Sequence, residues 1–338
     1  MNSSSRRCHS CLKELDNSLV ADFCPMCAKR LFSIRGAAKK IPATLPFSLP
    51  ELKKYIGQNH RISVSGAQPK FSLGINDSKL SITDQGGSFI LKPAIKGTFE
   101  ATNDMPANEH LTMQMARQVF KIETADCAWV KLSDGTPTYI TKRFDINPDG
   151  TRRQQQDFAQ VAGLTPGTNG SNYKYDFSYQ QIATLMERYV STYQVEAEKY
   201  FKLILFNYLI CNGDAHVKNF SIYSINNDGI YKMTPAYDLL NTQIHVQELG
   251  RTALELFNDD FETNFFKTNA FYGAPDFLEF AKRIGINQNR AQRFILEFTD
   301  SARQTAAKKM IDKSFLSQRS KRLFKQLFTD RTKALSIE

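Results

Sequence analysis

Hydrophobic positions fall into two regimes along the chain. Between residues 61 and 145, short runs rich in β-branched and aromatic side chains alternate with turn residues. They predict strands over 61–64, 71–75, 88–91 and 137–142. One helix interrupts them: Asn108 is placed to cap it, and Leu111, Met115 and Val119 recur at i, i+4 and i+8. Residues 151–172, rich in Gln, Gly and Asn, read as a long loop. From Ser178 the period becomes helical. An apolar stretch over 195–211 predicts a buried helix that stops at Asn212-Gly213. A hairpin follows, with arms at 221–224 and 230–233 around Asn226-Asn227-Asp228-Gly229. Further helices are predicted over 276–283 and 290–298, with a terminal amphipathic helix carrying Ile311, Phe315, Leu323 and Leu327. A β-rich first half ahead of a helical second half predicts an α+β chain of two lobes with a cleft between them.

Composition narrows the class. With 338 residues, 41% hydrophobic and 23% charged, the chain can bury substantial cores and is neither mainly disordered nor collagen-like. The longest apolar run, 203–211, contains Asn207 and is far short of the ~20 residues that span a bilayer. Arg6, Arg7 and Cys8 are followed by no apolar stretch of the secretory kind, so a cytoplasmic protein without membrane contact is expected. The net charge of +10 is uneven. The first 54 residues carry ten Lys/Arg against four Asp/Glu and the last 38 carry ten against three, leaving the middle slightly acidic. Basicity confined to the ends suits a peripheral polyanion contact rather than a main activity on DNA or RNA.

Four of the six cysteines form a pattern. Cys8 and Cys11 make one C-x-x-C and Cys24 and Cys27 a second, twelve residues later, which is the ligand spacing of a structural zinc site. Pro25 suits the tight turn of the second knuckle. Two disulfides are the alternative, disfavoured in a reducing compartment. A closed four-thiolate set leaves no open position for substrate, so this zinc is expected to be structural, with His9 a bystander. Cys127 and Cys211 read as buried small hydrophobes, and Trp129 receives no functional role. The expected organisation is a cysteine module over 1–34, a basic linker over 35–50, an N-lobe over 51–145 and a C-lobe over 146–338.

Chemistry concentrates at residues 212–219. Asp214 and Asn219 have the D-x-x-x-x-N spacing of a protein-kinase catalytic loop, in which the Asp accepts the hydroxyl proton and the Asn helps hold magnesium. Beyond the predicted hairpin comes Asp238, placed like the metal-binding Asp of kinases. In the first half, Lys92 ends a strand and could reach nucleotide phosphates. Glu109 could pair with it, although a helix dipole alone also explains a Glu in a first turn. The Ser65-Gly66-Ala67-Gln68-Pro69-Lys70 segment could cover phosphates, but it has one Gly where the usual loop has three and reads equally as a hairpin turn.

Together these residues resemble the HipA-type toxin kinases, most closely the short HipT-like members. The matching stretches are Ser63 to Lys70, Phe89 to Pro93, Asn108-Glu109, Lys142 to Asp145, Gln156 to Phe158, Asn212 to Phe220 and Pro235 to Asp238, in family order. The resemblance implies a two-lobed protein-kinase-like fold with a mostly β N-lobe and an all-helical C-lobe, preceded here by a zinc-ribbon-like module. It implies a serine/threonine kinase acting as the toxin of a bacterial toxin–antitoxin system. Asp214 is then the catalytic base, and Asn219 and Asp238 are the magnesium ligands. Lys92 contacts ATP phosphates, and Lys142, Arg143 and Phe144 form the hinge beside adenine. His216, Lys218 and Tyr237 lie beside the nucleotide. Ser63 matches the autophosphorylated serine ahead of the Gly-Ala-Gln loop, and Ser65 the second serine of HipT-like members. The implied partners are a small antitoxin resembling the HipA N-terminal subdomain and a helix-turn-helix DNA-binding antitoxin, with DNA reached only through the latter. Aminoacyl-tRNA synthetases are among family targets.

Two other readings stand beside this one. Asp-x-His-x-x-Asn loops also serve kinases of small molecules or lipids. A catalytically silent adaptor would use the zinc module and basic ends to bind nucleic acid, with strong salt dependence. The paired loop serines favour a protein kinase, because phosphorylating either adds nearly two negative charges where ATP phosphates would sit.

Overall fold

A computed structural model describes residues 6–16, 21–33, 41–59, 69–77, 79–83, 86–94, 99–147, 149–246 and 252–336. The strand expected over 61–64, and with it Ser63, Ser65, Gly66, Ala67 and Gln68, lies outside the described residues.

The first sheet has five antiparallel strands: β1 (Phe71–Asn76), β2 (Lys79–Ile82), β3 (Phe89–Pro93), β4 (Cys127–Lys131) and β5 (Pro137–Lys142), in the order β2-β1-β3-β5-β4. Neither β2 nor β4 is anticipated from the sequence. In β4, Cys127 and Trp129 face one core while Ala128 and Val130 face another. A strand buried on both faces lacks the apolar–polar alternation that marks a half-exposed one.

The two faces have different covers. Helix α1 (Pro25–Phe32), helix α2 (Leu49–Asn59) and the cysteine segment pack Phe23, Leu31 and Leu52 against Leu73, Leu91 and Ile140. The linker expected over 35–50 needs correction in its described part. Ile41, Ala43 and Leu45 are buried in alternation, and this segment runs along the free edge of β4. Leu45 N–H donates to the Lys131 carbonyl at 2.7 Å, and Lys131 N–H to the Ala43 carbonyl at 2.8 Å. An alternating apolar triplet beside an open edge finds both a core and the backbone partners it requires.

Helix α3 (Met105–Gln118) covers the opposite face. It starts at Met105-Pro106 rather than at Asn108, since Pro is well accommodated in a first turn whose N–H groups have no helical acceptor. Asn108 is therefore inside the helix, donating to the Asn241 carbonyl at 2.8 Å and accepting from Asn241 N–H at 3.2 Å.

The C-terminal part is helical, with α4 (Tyr179–Tyr189), α5 (Tyr193–Leu209), α6 (Ala274–Arg283), α7 (Gln288–Thr299), α8 (Ser301–Lys313) and α9 (Gln318–Leu335). It is not wholly helical, because the hairpin forms and gains a third strand. β6 (Gln154–Asp157), β7 (Ser221–Ser224) and β8 (Tyr231–Met233) lie in that order, all antiparallel. β6 and two single-turn helices, Phe158–Val161 and Pro166–Asn169, occupy the expected loop over 151–172. A Gln-rich edge strand held by main-chain bonds leaves no hydrophobic period to read. The terminal amphipathic helix is two helices, α8 and α9, with Phe315 in the connection. The α5 core is dense: Tyr200, Phe201, Leu205, Phe206 and Leu209 are each fully buried, a burial contributing about 1.5–3 kcal/mol per large apolar side chain.

Candidate active site

α5 ends in a Schellman motif. Cys211 takes a left-handed φ of 57°, its N–H donates to the Tyr208 carbonyl, and Asn212 N–H donates to the Asn207 carbonyl at 2.9 Å. The chain thus leaves the helix one residue earlier than the Asn212-Gly213 stop, and Asn212 turns inward. Its Nδ2 donates to Asn207 Oδ1 at 2.8 Å and to the Asp238 carbonyl at 3.4 Å, while its Oδ1 accepts from Asp214 N–H at 3.2 Å. Gly213 N–H donates to Thr242 Oγ1 at 2.9 Å. The loop is thereby fastened to the segment that carries Asp238, and Asp214, 52% exposed, projects into solvent.

Asp238 itself has a left-handed φ of 53°. An Asp tolerates this conformation at a cost on the order of 1 kcal/mol. Neighbouring backbone holds it there: Ala125 N–H donates to the Ala236 carbonyl at 3.0 Å, and Ala236 N–H to the Glu123 carbonyl at 2.9 Å.

The decisive contact joins three elements. From β3, Lys92 Nζ donates to Glu109 Oε1 of α3 at 2.6 Å and also to Asp238 Oδ1. Lys70 Nζ lies 3.5 Å from the other Asp238 oxygen. Lys92 and Glu109 are buried, and Asp238 is partly open. Two carboxylates share one buried ammonium, so their titrations separate. Burial pushes Asp238 up, but Lys92 and Lys70 outweigh it and hold the carboxyl well below its usual range. Glu109 is pushed up to about 7, chiefly by burial, with Lys92 only partly opposing and the Asp238 charge adding to the rise. Burial pulls Lys92 down, but Asp238 and Glu109 more than compensate and keep it protonated.

Around Asp214 the structure gathers residues that the sequence did not single out. Tyr175 OH donates to Asp214 Oδ1, and Lys174 Nζ is 3.9 Å from the same oxygen. His216 Nε2 is 3.7 Å from it, and the rings of Tyr175 and His216 meet edge to face at 5.3 Å. Burial lowers the His216 pKa, with Asp214 opposing. Lys218 Nζ is 3.8 Å from Asp157 Oδ2. Asn219 is half-buried and closes the turn, its N–H donating to the His216 carbonyl at 2.9 Å. Tyr237 OH donates to the Lys218 carbonyl at 2.9 Å, and its ring lies 5.7 Å from that of Phe144. Arg143 pairs with Asp145. Pro69 leads into Lys70 at the first edge of the described loop. Lys142 stands apart: its ammonium bonds Ser33 Oγ and the Arg30 carbonyl, on the cysteine-module side. Nothing in the spacing of Lys174 and Tyr175 marks them, because they meet Asp214 from 40 and 39 positions away in sequence.

A lysine held between a helix glutamate and an aspartate that follows a hairpin is the arrangement by which protein kinases hold nucleotide phosphates and metal. The sequence matches the HipA-like C-terminal domain family over residues 62–306. The chain belongs to this family of kinases. It is 27% identical to a Haemophilus influenzae protein named "Putative kinase", over 72% of this chain and 74% of that protein. It is 25% identical to the serine/threonine-protein kinase toxin HipA of Shewanella oneidensis, over 60% of this chain and 48% of that protein. Against Y4mE of Sinorhizobium fredii the identity is 29%, over 80% of this chain but 62% of the relative's length. Among solved structures, Shewanella oneidensis HipA in complex with HipB and operator DNA superposes with a TM-score of 0.65 at 21% identity, covering 86% of this chain and 71% of that one. Helicobacter pylori kinase CtkA gives 0.50 at 12% identity, over 79% and 90% respectively. The α+β kinase-like fold is thereby shared with both.

The cysteine cluster forms a second centre. Cys8, Cys11, Cys24 and Cys27 bring their four sulfurs within 4.8 Å of one another. Cys24 N–H donates to Cys8 Sγ at 3.2 Å. Four converging sulfurs, one already accepting a backbone N–H, fit a tetrahedral zinc ion. His9 stays out of the set, its Nδ1 bonding the Trp129 carbonyl at 2.9 Å. Cys127 and Cys211 are buried, as expected. Among the described residues, no helix is long and apolar enough to cross a membrane.

Proposed function

We propose that this chain is an ATP-dependent serine/threonine protein kinase that acts as the toxin of a HipA/HipT-like toxin–antitoxin system. The observation that carries this reading is the double contact of Lys92 with Glu109 and Asp238. A silent adaptor has no use for a buried lysine held between two carboxylates, an arrangement that is costly unless something needs the charges there.

The donor set fits the groups the reaction requires. Asp238 and Asn219 offer the oxygens that a hard divalent cation takes. Lys70 and Lys92 bring positive charge to one side of the cleft for phosphate oxygens, and Phe144 and Tyr237 present rings beside it. When bound, magnesium neutralises phosphate charge and ATP supplies the phosphoryl group. Glu109 orients Lys92, Asn212 fixes the catalytic loop against the Asp238 backbone, and Asp214 accepts the proton of the acceptor hydroxyl. Catalysis of this kind is mainly positioning and charge stabilisation, which is what these contacts provide. Tyr175 OH already sits on Asp214 Oδ1, so an acceptor hydroxyl must share or displace that bond.

In this reading the chain modifies Ser63 or Ser65 of its own phosphate loop, and its activity is held by a HipB-like DNA-binding partner together with a small antitoxin. The relative solved with HipB and operator DNA supports the DNA-binding partner. The Lys174–Tyr175 segment over Asp214 suits an exposed peptide hydroxyl, an aminoacyl-tRNA synthetase loop being one such acceptor. Intact mass with site mapping before and after magnesium and ATP tests the proposal. Phosphate is expected on Ser63 or Ser65 of the wild type and on neither in Asp214→Ala; a folded wild type that starts unmodified and gains none would overturn the self-phosphorylation.

A further inference from the structure

Helix α3 is buried almost all round, and two of its stripes are polar. Asn108 and Thr112 face the Asp238 segment, Thr112 Oγ1 bonding the Leu239 carbonyl. The second stripe is His110, Gln114 and Gln118 at i, i+4 and i+8, whose two ends meet the cysteine module. Buried polar groups need partners; the first knuckle supplies them to His110 Nε2 and Gln118, while Gln114 Nε2 donates to Cys127 Sγ of β4 at 3.4 Å. His110 Nε2 donates to the Ser10 carbonyl at 2.6 Å, and Gln118 Nε2 donates to the Cys11 carbonyl at 3.0 Å and to Gln114 Oε1 at 2.8 Å. Ser10 Oγ donates to the Cys127 carbonyl at 2.8 Å, and Trp129 N–H to the His9 carbonyl at 3.0 Å, so the same four-residue turn also seals the end of β4. Ser10 and His110 are fully buried.

The residue that meets the knuckle, His110, is the immediate neighbour of Glu109, which meets Lys92. A C-x-x-C turn keeps its carbonyls aimed in one direction only while its cysteines are held together, and here holding them is the task of a metal. We infer that the cysteine module is a metal-set brace for Glu109: zinc fixes the 8–11 turn, the turn holds the His110–Gln118 stripe, and the stripe sets α3 so that Glu109 reaches Lys92. His110 is a positioning residue, acting on the reaction through its neighbour. This inference rests on the kinase reading for its catalytic consequence, but not for the brace itself.

The test uses the full chain, loaded with zinc or stripped by a chelator and checked for metal content. Amide hydrogen exchange is followed over 105–118 and over 193–209, with phosphate transfer from ATP measured in parallel. On stripping, exchange in 105–118 is expected to rise about tenfold or more while 193–209 keeps its protection. Transfer should fall about 10- to 100-fold, the scale on which a ~1 Å misplacement acts, and zinc should restore both. With zinc bound, His110→Leu should lose transfer about tenfold, and His110→Gln, whose Nε2 can donate the same bond, should recover most of that loss. Unchanged protection of 105–118 in verified metal-free chain, or a His110→Leu chain that transfers like wild type, overturns the brace. A zinc-loaded chain that transfers nothing, yet whose α3 exchange follows the metal, supports the brace and defeats the kinase reading instead.

Discussion

The charged centre of the cleft and the cysteine cluster both crowd ionisable groups, but they are assembled differently. In the cleft, Lys92 and Asp238 stand 146 residues apart in sequence and are brought together by β3, α3 and the segment after β8. Opposite charges neutralise one another there, so the chain can hold them with no help from outside. The cysteines come from a span of twenty residues, and if all four ionise, like charges with no counter-charge among them must share one point. Their closeness fits a cation between them. The cleft is therefore set by the fold, while in the brace we propose the module is set by an ion and passes that order on to α3. Damage to the two regions should look different: cleft changes cost catalysis or buried charge balance, and module changes cost stability first.

The sharpest way to break this comparison is within the cleft itself. Asp214 is 52% exposed, so Asp214→Ala should lower phosphate transfer about 10³-fold while leaving the melting temperature unchanged. Lys92→Ala leaves buried Glu109 without a counter-charge and Asp238 with only the half-exposed Lys70, and should cost about 3–5 kcal/mol of stability as well as transfer. Equal melting of Lys92→Ala and wild type, in chemical or thermal denaturation, would contradict the buried triad. Next comes the module. Metal analysis should find one zinc per chain, and Cys24→Ser with Cys27→Ser should abolish it and lower the melting temperature by about 10 °C.

A smaller effect sharpens the electrostatic side. Burial raises Glu109 from 4.5 to about 7, so the folded chain holds a proton there that the unfolded chain has released. Wild-type stability therefore falls as pH rises from about 4.5 to about 7, and Glu109→Gln escapes that loss. The thermal stability of Glu109→Gln relative to wild type should climb between pH 5 and pH 8, by at most about 3 kcal/mol, even as its transfer activity drops. A pH-independent difference would show that Glu109 does not titrate in that window. Smallest of all, Tyr175→Phe removes a bond to the base that acceptors must compete with. It should raise transfer about two- to tenfold, the scale of one net hydrogen bond of about 0.5–1.5 kcal/mol at an exposed site; a fall would make Tyr175 an aid to the acceptor rather than a rival.

What was legible in the sequence follows the same division. The cysteine pairs and the Asp214–Asn219 spacing are local, and local spacing survives without a fold. The hairpin, α5 and three strands announce themselves by period and turn residues. β4 hides because both its faces are buried, and β6 because its Gln residues carry no hydrophobic period. The His110, Gln114 and Gln118 stripe looks like solvent-facing polarity until the cysteine turn is laid over it. Asn108, a natural cap by type, is drawn inside the helix by Pro106 and by its bonds to Asn241. Tyr175 and Lys142 show the remaining limit: one reaches Asp214 and the other turns toward Ser33 through contacts that no spacing encodes.

The central claim, that Lys92, Asp238 and Asp214 form one phosphoryl-transfer centre, is tested most directly by pairing ATP binding with transfer in magnesium for wild type, Asp238→Ala and Asp214→Ala. Wild type should bind and transfer, Asp238→Ala should lose magnesium-dependent binding, and Asp214→Ala should bind like wild type yet transfer about 10³-fold more slowly. Transfer by Asp214→Ala at the wild-type rate, or magnesium-dependent binding undiminished in Asp238→Ala, would contradict it.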